Sequence, residues 1–218
     1  MSLTAQRFPS RRRFLLGLGL VTQIAAAPKP APKPLVVTVL GDSITAGLGL
    51  PARDAVPAQL QAALARRGVS AIVRAAGVSG DTSGGGLARV GFSVANDTRV
   101  CVVALGGNDL LQGVEPAQTK ANLRGVLQKL KARGIGVVLV GVGAPPTIGA
   151  AYAREFNAVY PSLAREFSAP LYPNILAGVG GVPALMQRDG IHPNASGARR
   201  IGEALAPIVA KALRGRAG

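Results

Sequence analysis

Residues 35–43 read LVVTVLGDS, an almost unbroken apolar run that meets a glycine, an aspartate and a serine. A short apolar run that ends at a glycine predicts a strand that is buried on both faces and followed by a loop. Residues 100–109, VCVVALGGND, show the same pattern, and so do residues 135–141, IGVVLVG. Strands of this kind are typical of a parallel sheet that is covered by helices.

Segments with the helical spacing of apolar residues alternate with these strands. Helices are predicted over residues 55–67, 115–133, 150–167 and 195–213, and further strands over residues 69–74 and from Leu171 onwards. The third helix is expected to kink or break at Pro161, because a proline inside a helix removes a hydrogen bond. The alternation predicts an α/β fold with a central parallel sheet. The glycine-rich stretches after the strands should meet at the carboxyl edge of that sheet, where such folds bind ligands.

The first part of the chain differs from the rest in composition. Residues 11–13, RRR, are followed by an apolar run that reaches Ala27, which predicts a twin-arginine signal peptide over residues 1–27 and a periplasmic or secreted protein. The run is shorter than the ~20 residues that span a bilayer. A proline follows Ala27 and would hinder cleavage, so retention as an anchor stays open. Residues 28–34, PKPAPKP, are expected to form an extended linker to one domain, residues 35–218.

Charge and cysteine content limit the partners. The formal net charge of +15 permits peripheral contact with an anionic membrane surface, but it also fits an ordinary solvated basic surface. Basic residues with interleaved aromatics are absent from the sequence after the signal, so no nucleic-acid partner is expected. The single cysteine, Cys101, lies in an apolar run and is interpreted as buried and inert. The sequence has no nucleotide-binding fingerprint and no metal-ligand cluster, so neither cofactor nor metal is expected. We expect a monomer.

Two polar stretches carry residues suited to nucleophilic catalysis. Ser43 follows the first strand among small residues, where its hydroxyl can face a substrate, although a turn or a helix N-cap explains the same pattern. His192, the only histidine, lies in DGIHPN, residues 189–194. An imidazole has a reference pKa of about 6.5 and can remove a serine proton at neutral pH. Asp189 can accept the proton of the other ring nitrogen. The alternative is a histidine that caps the next helix or lies in the core.

Two further stretches can supply hydrogen-bond donors. In residues 106–109, GGND, the Asn108 amide can donate to a developing oxyanion, although an Asx turn is the competing interpretation. Gly80 lies in VSGDTS, residues 78–83, and its backbone N–H is a candidate second donor. Each pattern alone is common. Their order along the chain is more specific: serine, glycine, asparagine and finally D-x-x-H.

In this order the four blocks resemble the SGNH hydrolase family, and the similarity extends over residues 35–213. The motifs SGDTS, GGND and DGIHPN are similar to those of its bacterial arylesterase, thioesterase and lysophospholipase branch. The resemblance implies a three-layer α/β/α flavodoxin-like fold with a central parallel sheet. It also implies an oxyanion hole formed by the backbone amides of Ser43 and Gly80 and by the Asn108 side chain.

The resemblance also assigns supporting roles. It implies that Asp42 and Asp109 hold their loops, and that residues 110–115 form a loop able to shift when an acyl chain binds. The sequence departs from the family at residues 55–57, AVP, where relatives carry a bulky aromatic on the way into the first long helix. The substrate pocket is therefore expected to differ from theirs.

The implied reaction is hydrolysis of a carboxylic ester through an acyl-enzyme on Ser43, with His192 as base and Asp189 as its partner. Aryl esters, short- to medium-chain acyl esters, thioesters and lysophospholipids are the candidate substrates. A carbohydrate O-deacetylase of the same superfamily would use the same residues. A non-catalytic cell-surface module that binds anions is the alternative from another class. The basic charge permits it, but it gives no reason for the four site residues to occur together.

Overall fold

The computed structural model describes Ser2 and residues 35–215. Residues 33–218 form a unit of their own. The predicted signal peptide, residues 1–27, and the linker, residues 28–34, lie outside the described residues apart from Ser2, and both stay predictions. In the part of the chain that the structure describes, no helix combines the length and the apolar character needed to cross a membrane.

Residues 35–215 contain five strands and seven α-helices. The strands are β1 (Leu35–Gly41), β2 (Ala71–Gly77), β3 (Val100–Ala104), β4 (Gly136–Val140) and β5 (Leu171–Tyr172). The helices are α1 (Ser43–Ala46), α2 (Val56–Arg66), α3 (Ser83–Ser93), α4 (Gly107–Leu111), α5 (Pro116–Ala132), α6 (Ala150–Phe167) and α7 (Ala195–Arg214). The strand order is β2-β1-β3-β4-β5, and all neighbouring strands are parallel. This is the flavodoxin-like order, so the predicted fold class is confirmed.

Alternate strand residues face two hydrophobic cores, one on each side of the sheet. In β3, Val100 and Val102 belong to one core, whereas Cys101 and Val103 belong to the other. Helices α2 and α7 cover the first core, and helices α3, α5 and α6 cover the second. Because the central strands are buried on both faces, their sequences are almost entirely apolar.

Two local predictions are wrong. Strand β2 begins at Ala71 and ends at Gly77, later than the predicted residues 69–74. It is an edge strand with exposed residues, so its apolar pattern is weak. The predicted break at Pro161 is wrong, whereas a kink there stays a prediction. Helix α6 runs through Pro161, because large side chains on both sides of the proline are buried against the sheet and hold the helix in place: Phe156, Tyr160 and Leu163.

The sequence patterns do not predict helix α3. Its first turn contains three glycines, residues 84–86, and glycine is a poor helix former. The helix is instead started by Thr82, whose hydroxyl accepts a hydrogen bond from the Gly85 amide at 3.2 Å. At Gly86 a Cβ would lie 2.2 Å from Leu105 Cδ1. Glycine therefore lets α3 pack closely against the residue that follows β3.

Candidate active site

Ser43 is placed by the turn that ends β1. The strand ends at Gly41, and Ser43 is the first residue of helix α1. The Asp42 carboxylate caps that helix by accepting a hydrogen bond from the Ile44 amide at 3.1 Å. Asp42 therefore fills the N-cap role that the sequence left open for Ser43. The serine is 9% exposed and lies at the carboxyl edge of the sheet.

His192 lies between Ser43 and Asp189. The pKa of Asp189 is lowered to about 2, first by a hydrogen bond from the His192 backbone amide and then by one from its ring. An ionised carboxylate only accepts, so the ring Nδ1–H donates to Asp189 Oδ2 at 2.7 Å, and in the neutral form of the ring Nε2 is the acceptor. Nε2 lies 2.9 Å from Ser43 Oγ, and the serine hydroxyl donates to it. The interpretations of His192 as a helix cap or a core residue are therefore wrong.

Local hydrogen bonds hold the loop that carries His192. Met186 and Pro193 form an antiparallel bridge across it, and the Gln187 amide donates to the His192 carbonyl at 2.8 Å. Asn194 caps helix α7 by accepting hydrogen bonds from two amides of its first turn at 3.0 and 3.1 Å. The loop is therefore closed at its base and fixed to the start of α7, which sets the direction of the imidazole.

Asn108 and Gly80 are brought together by a contact to the backbone. Asn108 lies in helix α4 rather than in an Asx turn, and its Nδ2 donates to the Asp81 carbonyl at 2.8 Å. An amide nitrogen carries two N–H groups, so this bond uses half of its donors. Gly80 has a φ of 83°, which favours glycine, and a Cβ there would meet no heavy atom within 4 Å. The backbone at Gly80 is therefore open to an approaching group.

Asp109 ties together the helices around Asn108. It is fully buried and accepts a hydrogen bond from the Ser83 amide at 2.7 Å and another from the Ser83 hydroxyl. The Thr119 hydroxyl also donates to it at 3.2 Å. These bonds join α3, α4 and α5, in agreement with the structural role that the family resemblance implies for Asp109.

Two carboxylates flank the serine and the histidine, and their titration is shifted in opposite directions. Burial raises the pKa of Asp42 from 3.8 to about 6, although the hydrogen bond from the Ile44 amide opposes this shift. Asp189 is much more exposed and keeps its charge. Among the described residues, no three histidine, cysteine, aspartate or glutamate side chains come together as a metal site would require.

A cavity of about 720 Å³ adjoins the site. Its lining includes the chain neighbours of Ser43, Asn108 and His192, namely Asp42, Ile44, Gly107 and Ile191. The other walls come from α4, from the end of β4 and from the loops after β4 and β5. They are mainly apolar, and they include Leu110, Leu111, Val140, Val142, Ile175 and Leu176. A cavity of this size and character suits a small ligand with an apolar part.

Two residues that the sequence singled out lie in the hydrophobic cores. Val56, where the sequence departs from the family, is fully buried in the first core and does not line the cavity. Ala55 and Pro57 are buried as well, and none of residues 55–57 lines the cavity, so the expectation that the pocket differs from that of relatives stays a prediction. Cys101 is also fully buried, and burial raises the pKa of its thiol to about 12. Its interpretation as an inert residue is in agreement with the structure.

The sequence patterns miss an ion pair behind the site. Arg89 Nε donates to Asp81 Oδ2 at 2.7 Å, and about a tenth of each side chain is exposed. A single charged residue, Arg89, lies within the helix that spans residues 83–93. Because a buried arginine requires partners, an arginine among glycines and apolar residues was the available signal.

Comparison with known proteins identifies the family. Residues 39–200 match the GDSL-like lipase/acylhydrolase family. The chain is 42% identical over 195 residues to the esterase TesA of Pseudomonas aeruginosa, which covers 89% of this chain and 94% of that protein. It is 41% identical over 157 residues to the thioesterase 1/protease 1/lysophospholipase L1 of Escherichia coli, which covers 72% of this chain and 74% of that protein.

A solved structure shares the fold as well as the sequence. The crystal structure of AlinE4, an SGNH-hydrolase family esterase, aligns with a TM-score of 0.71 at 42% identity and covers 84% of this chain and 98% of that one. The order of the motifs, the strand order of the sheet and the similarity to these proteins all agree. The chain therefore belongs to the GDSL-like lipase/acylhydrolase family, the SGNH hydrolases, as its motifs predict.

Proposed function

We propose that the protein is a serine esterase that hydrolyses carboxylic esters through an acyl-enzyme on Ser43. The observation that carries this proposal is the line of hydrogen bonds from Asp189 through His192 to Ser43, with 2.7 and 2.9 Å between the bonded atoms. Only a histidine that is neutral and already bonded to the hydroxyl can take its proton as the bond to the substrate forms. The relatives named as esterases support the same activity.

In the first half-reaction the Ser43 oxygen attacks the ester carbonyl carbon while His192 Nε2 takes the hydroxyl proton. The carbonyl oxygen becomes an oxyanion. We assign its stabilisation to the backbone amides of Ser43 and Gly80 and to the side chain of Asn108. His192 then gives its proton to the leaving oxygen as the ester bond breaks, and the acyl group stays on the serine.

In the second half-reaction water attacks the acyl-enzyme, and His192 is again the base. The carboxylic acid leaves, and Ser43 regains its proton. Asp189 accepts the Nδ1 hydrogen bond throughout and stabilises the imidazolium that forms in each half. Because its pKa is lowered to about 2, Asp189 is ionised at neutral pH.

The cavity beside the serine supports substrates with an apolar acyl or aryl part. Its walls include Leu110, Leu111 and Ile175, which suit a hydrocarbon chain and offer little to a sugar. An O-deacetylase transfers only an acetyl group and would leave most of this space unused. Aryl esters, short- to medium-chain acyl esters, thioesters and lysophospholipids therefore stay the proposed substrates.

The test is hydrolysis of p-nitrophenyl esters of increasing chain length, beside an acyl-CoA, a lysophospholipid and an O-acetylated polysaccharide. Each substrate is measured with wild type and with Ser43→Ala. Turnover of the acyl substrates that Ser43→Ala abolishes is the expected result. Turnover of the polysaccharide alone would favour the deacetylase. If neither protein turned over any substrate and both bound anionic polysaccharide equally, the non-catalytic module would be favoured instead.

We also propose export by the twin-arginine route, because three arginines precede the apolar run of residues 14–27. A reporter fusion that carries Arg11→Lys, Arg12→Lys and Arg13→Lys should stay in the cytoplasm. Continued export of that fusion to the periplasm would exclude this route and favour the general secretory one.

Finally, we propose a monomer that contacts anionic membrane surfaces through the loops around the site. Large apolar side chains are exposed in the segments that connect the strand ends to the long helices: Leu48, Val78, Leu111, Ile148, Val182 and Ile191. The positive net charge attracts anionic headgroups to such a surface. Sedimentation with phosphatidylglycerol vesicles, reduced by Leu48→Ser with Val78→Ser, is the expected result. Equal binding to phosphatidylcholine vesicles would contradict the role of the positive charge in membrane contact.

The proposed monomer is tested separately by analytical ultracentrifugation, in which a dimer would contradict it.

A further inference from the structure

Arg89 makes hydrogen bonds to three segments behind the proposed site. It lies in helix α3 and is 8% exposed. Its Nε donates to Asp81 Oδ2 at 2.7 Å, its Nη1 to the Ala76 carbonyl at 2.8 Å and its Nη2 to the Gly41 carbonyl at 2.9 Å. The two carbonyls belong to the carboxyl ends of β2 and β1, directly before the loops that carry the reactive groups.

Asp81 extends this anchoring to the proposed oxyanion donors. The backbone carbonyl of Asp81 accepts the hydrogen bond from the Asn108 side chain at 2.8 Å. Asp81 also follows Gly80 directly in the chain. The Gly41 carbonyl receives a second hydrogen bond, from the Val78 amide at 3.0 Å. One guanidinium is therefore connected to the strand that leads to the serine, to the loop that contains Gly80 and, through Asp81, to Asn108.

We propose that the Arg89–Asp81 ion pair is a positioning element that sets the geometry of the oxyanion hole, an inference that rests on the proposed function. A guanidinium is planar, and its donors point in fixed directions, so it holds three acceptors in a defined arrangement. A buried ion pair of this kind is weak evidence for stability, because desolvation offsets the attraction between its charges. We therefore expect the Arg89–Asp81 ion pair to affect mainly the positions of Gly80 and Asn108.

The test compares Arg89→Met with the matched control Arg133→Met. Arg133 also donates to backbone carbonyls, those of Val90 and Val94, but at the other end of α3. Turnover is expressed per active site titrated with a phosphonate, so that unfolded protein does not count. Arg89→Met should lower kcat by about 100-fold with KM within about twofold, because a displacement of about 1 Å at reacting atoms has an effect of that size. Arg133→Met should keep kcat within about twofold, whatever its melting temperature.

A second measurement isolates the oxyanion hole from general structure. A trifluoromethyl ketone adds to the nucleophilic serine and places a negatively charged oxygen where the transition state does. Its inhibition constant should rise in Arg89→Met by about the same factor as kcat/KM falls. Arg89→Lys keeps a positive charge but loses the fork of donors, so both quantities should lie between those of wild type and Arg89→Met.

If Arg89→Met does not fold, Asp81→Asn provides the test. It removes the charge of the ion pair and keeps the backbone carbonyl that Asn108 contacts. A loss in kcat of about 10-fold at unchanged KM is expected. Unchanged kcat per titrated site in a folded Arg89→Met or in Asp81→Asn would overturn the proposal. A Ser43→Ala protein as active as wild type would instead overturn the proposed function, so the two failures are distinguishable.

Discussion

The two sides of Ser43 are built in different ways. On the base side, Asp189 accepts hydrogen bonds from the amides of Ile191 and His192, which lie two and three residues away in sequence. On the oxyanion side, the Asn108 bond to Asp81 spans 27 residues, and the Arg89 bond to Gly41 spans 48. The side chain of Asp189 is 43% exposed, whereas only about a tenth of Arg89 and of Asp81 is exposed.

Because of this difference, substitutions on the two sides of Ser43 are expected to affect turnover and stability in different proportions. A loop that is fixed by local hydrogen bonds can lose a reactive side chain without disturbing the rest of the fold. Buried long-range contacts place the oxyanion donors, so a substitution there changes stability as well as turnover. The comparison predicts that variants of the base side lose activity alone, whereas variants of the oxyanion side lose both.

The largest effect is expected for His192→Ala. Turnover should fall by about 10⁴-fold or more, because this is the only histidine in the chain and no other imidazole can take the serine proton. The free energy of unfolding should fall by only about 1 kcal/mol, since the loop is closed by bonds of its backbone and only the two hydrogen bonds of the ring are lost. Arg188→Ala, an exposed change in the same loop, is the control and should keep normal turnover. Near-normal turnover of His192→Ala at neutral pH would contradict the assignment of His192 as the base.

A smaller effect is expected for Asn108→Ala, compared with Asn96→Ala. Removing one oxyanion donor typically lowers kcat by ~100- to 1,000-fold, roughly 3–4 kcal/mol in activation free energy, with little change in KM. Asn96 is exposed and accepts a hydrogen bond from Arg133 at 2.8 Å. Its loss should affect only stability, by about 1 kcal/mol or less. Steady-state kinetics on both variants tests this, and equal effects on kcat would mean that the oxyanion hole is misplaced.

The next effect concerns stability and pH at Asp42. The pKa of Asp42 is raised from 3.8 to about 6 in the fold, first because of burial. Its contribution is therefore fully present below about pH 4 and is lost as the pH rises through 6, a change on the order of 2–3 kcal/mol. Asp42→Asn should flatten the dependence of the melting temperature on pH between 4 and 7. An unchanged pH dependence of the melting temperature would show that it does not come from the Asp42 carboxyl.

Asp42→Asn also sharpens the assignment of the base. The acid limb of the kcat/KM profile should persist in this variant, because protonation of His192 and not of Asp42 is proposed to stop the reaction. A limb that disappears would assign the titration to Asp42. Asp189 contributes with the opposite sign, since its pKa is lowered to about 2: its stabilisation is present above about pH 4 and lost as the pH falls through 2.

The smallest effect is expected at Cys101. Because burial raises the pKa of its thiol to about 12, iodoacetamide should leave the native enzyme fully active. Cys101→Ala should keep kcat and reduce the free energy of unfolding by an amount on the order of 1 kcal/mol, since it removes one buried atom from a packed strand. Rapid inactivation by the reagent would place the cysteine near the reaction.

The features that the sequence predicts well are those with a local signal. The central strands are almost entirely apolar because both faces are buried, and residues 35–41 and 100–104 show this directly. The residues with chemistry were also predictable, because serine, glycine, asparagine and D-x-x-H follow one another in an order that is more specific than any of these patterns alone. The structure brings Ser43, His192 and Asp189 together, and their catalytic roles stay proposals.

The features that the sequence misses depend on contacts between distant residues. Helix α3 forms despite its glycines because Gly86 lies against Leu105, and no local propensity contains that information. The partners of Arg89 come from two strand ends and a loop. Its position in an apolar helix therefore indicates that it has partners but not which residues they are. The same reasoning applies to Pro161, where burial of the neighbouring side chains outweighs a local helix breaker.

Covalent labelling of the nucleophile shows directly whether Ser43 carries the acyl group. The protein is incubated with a serine-directed phosphonate, digested, and mapped by mass spectrometry, with Ser43→Ala and His192→Ala treated in the same way. We expect one adduct per chain on the peptide that contains Ser43, no adduct in Ser43→Ala and much slower labelling in His192→Ala. Labelling at Ser79, Ser83 or Ser196, or undiminished labelling of Ser43→Ala, would contradict the assignment of Ser43 as the nucleophile.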